Sequence, residues 1–184
     1  LKNLSNASIT YAIYPKKDYI DSFNIFYACT GSMQLQNFQF RLLHYALVTN
    51  KDLKIWGLRE NDDCNLCNLH QETIEHLMLE CQYSRTLWED LLAFIREKSG
   101  VYISFTDKEK IFCVTDCQYA HFFNLVFMIL KQYLYACRCL GKLPNKHVMF
   151  QKIVDAKETE KFIAIKNNRV QIYERKWQLL ENFT

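Results

Sequence analysis

Apolar residues recur along most of this chain at intervals of three and four, the period of a helix with one buried face. In "MQLQNFQFRLLHYALVTN", Leu35, Phe38, Leu42 and Ala46, with Leu43 beside them, predict one such stripe. "NKDLKIWG" predicts a short helix capped at Asn50 and stopped by Gly57. Ser84 is placed to cap "RTLWEDLLAFIREKSG", with Trp88, Leu91, Leu92 and Ile95 as its inner face and Gly100 as its end. Thr106 followed by Glu109 has the spacing of a capping box. The run "HFFNLVFMILKQYLYACRCLG" is apolar nearly all round and predicts a buried helix ending at Gly141. It does not read as a membrane span. Asn124, Lys131, Gln132 and Arg138 interrupt it, and the uninterrupted stretch Leu125–Leu130 falls far short of the roughly 20 residues a span needs. Two further helices are expected at about 145–165 and 169–182, the first capped by Asn145 after Pro144. Near the start, 19–29 predicts a short helix ended by Gly31, and 1–18, broken by Pro15, a loop or tail.

Only 4 Gly and 2 Pro in 184 residues leave little material for the tight turns of a sandwich or barrel, so the expected fold class is all-α. No internal repeat appears. The chain begins at Leu1 with no signal-peptide pattern, and is expected to be a piece of a longer protein or a processed form. Three regions are expected: 1–32 as linker or tail of an upstream domain, 33–100 as a helical region around a cysteine cluster, and 101–184 as a basic helical region. Charge separates the last two. Residues 61–100 carry 3 basic and 8 acidic groups, whereas 131–176 carry 11 basic and 4 acidic. The basic surplus points to a polyanionic partner, or to an ordinary solvated helix face. An aromatic share of 15% implies a bulky core or rings kept for contacts.

The chemistry is concentrated in "CNLCNLHQETIEHLMLEC", residues 64–81. Cys64, Cys67, His76 and Cys81 have the spacing C-x2-C-x8-H-x4-C. A C-x2-C turn aims two sulfurs at one point, and zinc favours four such donors in a tetrahedron. Three thiolates and an imidazole would fill every position and leave none for water or substrate, which predicts a structural Zn2+ site. His70 is the competing imidazole. His76 is preferred because it precedes the apolar "LML" that would pack beneath the site. One conflict is visible: on a straight α-helix, residues five apart point roughly 140° from one another, so the helix through His76 must turn before Cys81. The other readings are a chance cluster or a Cys64–Cys67 redox pair.

Other candidates carry less. Cys113, Cys117 and His121 would line one helix face but cannot close a tetrahedron, so a buried apolar stripe is expected there. Cys29 is expected in the core, Cys137 and Cys139 as packing or surface thiols. Asp62 and Asp63 lack the apolar strand and aromatic that precede a polymerase acid pair, and read as a turn into the cluster. No nucleophile elbow, phosphate loop or zinc-protease motif is present. No catalytic residue is assigned.

The stretch from "MQLQNFQF" through "TNKDL", the C-x2-C turn, "ETIEHL" and the Cys81 that precedes "LW" resembles the zinc-binding segment following the polymerase of non-LTR (LINE-type) retrotransposon reverse transcriptases. "YACRCLGKLPN" and "TEKFIAIKNNRVQIYERKW" are similar to the closing segment of such proteins. The resemblance places zinc ligands on Cys64, Cys67, His76 and Cys81. It implies an accessory, non-enzymatic domain that helps hold element RNA or target DNA while the upstream polymerase of the same polyprotein copies RNA at a nicked target. It also implies residence in the nucleus and cytoplasm. Phosphate contacts are expected from Lys142, Lys146, Arg169, Arg175 and Lys176, with Trp177 as a stacking residue. The rival reading is a zinc-braced protein-interaction scaffold that docks on the polymerase and binds no nucleic acid.

Overall fold

The computed structural model describes residues 24–181, and its fold is all-α. Residues 24–29 are helical, followed by α1 (Met33–Leu43), α2 (Asn50–Ile55), a π-helical turn (His76–Glu80), α3 (Gln82–Ser99) and α4 (Asp107–Ile111). Then come α5 (Ala120–Leu140), α6 (Lys146–Lys166), α7 (Val170–Trp177) and a closing 3-10 turn (Gln178–Leu180). The expected loop at 1–18 and the first residues of the 19–29 helix lie outside the described residues. Among those described, the only strand-like pairing is an isolated antiparallel bridge between Asp63 and Gln71.

α5 is the axis of the molecule. Its residues are buried along almost its full length, as expected of a helix that is apolar all round. α1, α3, α6, α7 and the π-turn all pack against it. This is where the long apolar run spends its hydrophobicity; no helix of the described residues is long and apolar enough to cross a membrane. Much of the aromatic share is core as well, though Tyr27, Phe40, Trp56, Tyr102 and Phe162 are exposed. Phe127 meets Trp88 edge-on at 4.8 Å and Phe105 at 5.0 Å, and Phe122 meets Trp177 at 5.7 Å.

The helix ends obey local chemistry, with three departures from expectation. The cap of α2 is Thr49, which forms a full capping box with Asp52. Asn50 is instead drawn inward, fully buried, into a polar network described below. α3 starts at Gln82, two residues before the expected cap, because the Ser84 hydroxyl donates to the Leu77 carbonyl at 2.6 Å and ties the helix to the turn before it. In α1 the buried face is Leu35, Phe38, Leu42 and Leu43; Ala46 is exposed because the helix stops at Leu43 and Tyr45 turns the chain at φ 50°. Leu47 is buried in its place. The Thr106–Glu109 box and the Asn145 cap form as expected, and Gly100 and Gly141 end α3 and α5 in the left-handed conformation.

Cys113, Cys117 and His121 do not share a helix face. α4 has stopped at Ile111 and α5 begins at Ala120. The Asn124 side chain brackets Val114, accepting its N–H at 2.8 Å and donating to its carbonyl at 2.9 Å, which holds this segment as a loop. Cys29 is buried, Cys137 buried and Cys139 exposed, and no disulfide links any of the eight cysteines.

Lys131 is the most unusual core residue. Its ammonium is buried on α5 and donates to the Ile111 carbonyl at 2.8 Å. Burial lowers its pKa from the ordinary 10.5 to about 8. Between those values the unfolded chain holds a proton that the folded chain has released, so this residue's contribution to stability rises with pH across that window and is flat below it. Relative to a Lys131→Met variant, the wild-type protein is therefore expected to gain about 3 kcal/mol between neutral pH and pH 10.5. Denaturant titrations of both proteins across that range read the difference; one that does not change with pH would sink the prediction.

Candidate metal centre

Residues 62–72 fold back on themselves as a small knuckle. The Cys64 N–H donates to the His70 carbonyl at 2.8 Å, and the Glu72 N–H to the Asp62 carbonyl at 2.7 Å. Within the C-x2-C turn, the Asn68 N–H donates to the Cys64 carbonyl at 2.8 Å, with Asn68 at φ 54°. The Leu66 N–H points at the Cys64 sulfur at 3.4 Å. Asp62 closes the outside of the knuckle, accepting from Lys54 and from Gln71, so this acid pair is a turn.

The chain then enters a half-turn of helix at Ile74. Thr73 supports its start, its hydroxyl accepting the His76 N–H at 3.0 Å. The turn His76–Glu80 is π-helical, with the Cys81 N–H donating to the His76 carbonyl at 2.7 Å. This resolves the angular conflict seen in the sequence. A π-turn bonds residues five apart, so residues five apart come onto one side. Cys81 then leaves the helical conformation at ψ 134° and serves as the N-cap of α3.

The donor atoms of Cys64, Cys67, His76 and Cys81 converge, all lying within 4.8 Å of one another. Cys67 Sγ and His76 Nε2 are 3.4 Å apart. A sulfur and a nitrogen on a tetrahedral zinc ion would be separated by about 3.6 Å, so the donor set fits that ion in kind and in spacing. His76 presents Nε2 to the cluster while Nδ1 faces toward the exposed Glu80 carboxylate, 3.9 Å away and beyond hydrogen-bond length. His70 is exposed, and its ring lies 5.4 Å from that of His76. Its part in the knuckle is the main-chain hydrogen bond to Cys64.

The electrostatics favour deprotonated sulfur at Cys81. The hydrogen bond from Cys64 lowers the Cys81 pKa, and the backbone N–H groups of Tyr83 and Ser84 at the start of α3 add to this. The same Cys64–Cys81 hydrogen bond, with burial, raises the Cys64 thiol. Burial, with His70 nearby, lowers the His76 pKa, which leaves the imidazole neutral and its lone pair available at neutral pH.

A second set of residues, not singled out in the sequence, locks this knuckle to the rest of the fold. Glu72 is fully buried. Its Oε1 accepts from the Arg138 Nε at 2.7 Å and from the Asn50 N–H at 2.9 Å, and its Oε2 accepts from the Asn65 N–H at 2.9 Å. Asn65 lies between the two cysteines of the C-x2-C turn. The Asn50 Oδ1 accepts from both Arg138 and Arg59 at 2.8 Å. Two signals were available: Glu72 opens "ETIEHL", and Arg138 is an isolated cation in an apolar helix.

The expected nucleic-acid residues are not gathered into one site. Lys142 and Lys146 are exposed at the α5–α6 junction, with Lys146 3.4 Å from Asp90. Arg169 is exposed just past the far end of α6, a helix about 30 Å long, and Arg175 is exposed on α7, which packs back against α6. Lys176 and Trp177 require correction. The Lys176 ammonium is bound by the Glu160 carboxylate at 2.7 and 2.8 Å and by the Cys29 carbonyl. Trp177 is 1% exposed, and its indole N–H donates to Glu160 at 2.8 Å. A ring closed into the core cannot stack on a base. The large aromatic that stands exposed near the basic helices is Phe162.

No curated protein matches the chain. Residues 6–88 match the model of a family described as zinc-binding in reverse transcriptase, a span that takes in all four clustered residues and stops within α3. That family and this donor set agree on the cofactor, which is zinc, and the chain is similar over this segment to zinc-binding regions associated with reverse transcriptases, an accessory and not a catalytic part.

Proposed function

We propose that the chain is a zinc-stabilised accessory module of a non-LTR (LINE-type) retrotransposon reverse transcriptase. It helps hold element RNA or target DNA during target-primed synthesis in the nucleus and cytoplasm. Cys64, Cys67, His76 and Cys81 hold the ion. With all four positions filled by protein, the ion braces the 33–100 region and does no chemistry. The contacts come from 101–184. The observation that carries this reading is the α6–α7 end, where Lys161, Lys166, Arg169 and Arg175 are exposed beside exposed Phe162, Ile165 and Ile172, with Glu174 the one acid among residues 161–175. Cations beside an exposed ring match the phosphates and bases of an unpaired strand. Lys142 and Lys146, at the opposite end of α6, form a second and separate basic patch.

Binding of the zinc-loaded protein to short labelled RNA and DNA strands across a salt series tests this. Micromolar or tighter affinity that falls steeply with salt is expected, and Arg169→Ala with Arg175→Ala should lower both the affinity and the slope, by roughly one unit of slope per lost phosphate contact. Absence of binding by folded, zinc-loaded protein would sink the nucleic-acid role. It would favour the scaffold reading, which has its own support: Ile55, Trp56 and Leu58 form an exposed apolar run at the end of α2, where Lys54 and Arg59 are balanced by Glu60 and Asp62.

A further inference from the structure

We infer that Glu72 and Arg138 are positioning residues that couple metal binding in the knuckle to the C-terminal end of α5. The inference rests on the reading of Cys64, Cys67, His76 and Cys81 as the zinc ligands, but goes beyond it in assigning two residues that touch no metal.

The argument is geometric. The C-x2-C turn must hold two sulfurs at a fixed separation, and its own hydrogen bonds, Asn68 N–H to the Cys64 carbonyl and Leu66 N–H to the Cys64 sulfur, do not use the Asn65 N–H. Glu72 Oε2 takes that N–H at 2.9 Å, so the turn is held by a carboxylate on the opposite arm of the knuckle. A buried carboxylate needs a cation, and the knuckle supplies none at this point. Arg138 supplies it from α5, 66 residues further along, through its Nε at 2.7 Å. Its second nitrogen reaches Asn50 Oδ1 at 2.8 Å, and Asn50 donates to the Asp63 carbonyl just before the first cysteine.

The connection also runs in the other direction. The Asn65 side-chain amide donates to the Arg138 carbonyl at 3.3 Å. That carbonyl belongs to the last turn of α5, where the Gly141 N–H also approaches it at 3.4 Å and the chain turns off toward Lys142. The turn that aims the sulfurs and the turn that ends α5 are therefore tied through four side chains, Asn50, Asn65, Glu72 and Arg138, with Arg59 also donating to Asn50 and Asn65. A shared network has one consequence that thermodynamics requires: whatever the network contributes to metal affinity, the metal returns to the order of the α5 terminus.

Cobalt(II), which reports thiolate ligation by its absorption, is the probe. The full chain is titrated as wild type, Glu72→Gln, Arg138→Lys and Arg138→Met, each competed with a chelator to obtain a dissociation constant. Loss of a residue that orients a ligand from outside the metal's coordination sphere weakens binding by about 10- to 100-fold. Such a loss is expected for Arg138→Met, an intermediate loss for Arg138→Lys, and all four proteins should show the same three-sulfur, one-nitrogen spectrum. Amide exchange at 138–142 should slow on metal binding in the wild type and change less in Arg138→Met. Should Arg138→Met fail to fold, Arg138→Lys and Glu72→Gln decide. Wild-type affinity in both, or equal metal-dependent protection in all folded variants, overturns the coupling. A wild-type protein that shows no thiolate-to-cobalt absorption overturns instead the metal reading beneath it.

Discussion

Stripping the zinc with a chelator is expected to unfold the knuckle and pull the π-turn away from α5, with a partial loss of helical signal and a large fall in melting temperature. The segment between α2 and α3 has little core of its own: it contributes Leu66, Ile74, Leu77 and Met78, all buried against other elements, on a backbone of turns. Ion binding therefore supplies much of its folding energy, on the order of 10 kcal/mol in isolated zinc peptides. That is comparable to the whole stability of an ordinary domain, about 5–15 kcal/mol. Cys64→Ser should reproduce the effect, since it replaces one of the four zinc donors with a hydroxyl, a poor ligand for that ion. Circular dichroism melts of loaded, stripped and Cys64→Ser protein check this. The pH dependence has a definite sign. His76 is held neutral by burial, so the protons that compete with zinc near neutral pH are those of the thiols, and affinity should rise with pH until they have ionised. Identical melting of stripped and loaded protein would refute the prediction.

The two levels of the molecule were legible to different degrees for identifiable physical reasons. Helix positions follow from apolar spacing because burial and period are the same information: α3 lies close to where its stripe puts it, α5 where the long apolar run does, and α6 where Pro144 and the Asn145 cap do. The four clustered donors were legible because chelation geometry is written in spacing. The interval of five between His76 and Cys81 even announced that an α-helix could not continue, though the π-turn that resolves it is a solution no local propensity selects. What spacing does not contain is the competition for a polar side chain. Asn50, Ser84 and Thr49 are all capable caps, and which of them caps depends on what else lies within reach once the chain has folded. Asn50 is taken by Arg138, 88 residues away, and Ser84 by Leu77. Glu72 and Arg138 each left a signal, but their pairing was not legible for the same reason. A charge in an apolar helix reads as an interruption until its partner is known.

Trp177→Ala is expected to destabilise the protein by about 3–5 kcal/mol, the cost of emptying a fully packed aromatic site. Trp177, which directly follows Arg175 and Lys176, was the stacking residue expected from the sequence. A helix, however, sends successive residues to different sides, and on α7 the side that faces inward is that of Trp177. Its ring lies edge-on to Phe122 at 5.7 Å, and its N–H shares the Glu160 carboxylate with the Lys176 ammonium. Trp177→Phe keeps most of the apolar volume but removes one of the donors on Glu160, so a smaller loss, about 1–3 kcal/mol, is expected from it. These two variants separate a core role from a contact role. If the ring is core, the loss of strand binding in either variant tracks the unfolded fraction, and folded Trp177→Phe protein binds like wild type. Arg169→Ala and Arg175→Ala should show the reverse, weak binding at unchanged stability, because surface cations contribute little to the fold. Denaturant midpoints set beside binding isotherms for the four variants read both quantities. A Trp177→Phe protein of wild-type stability that had lost its affinity would return the ring to the binding surface.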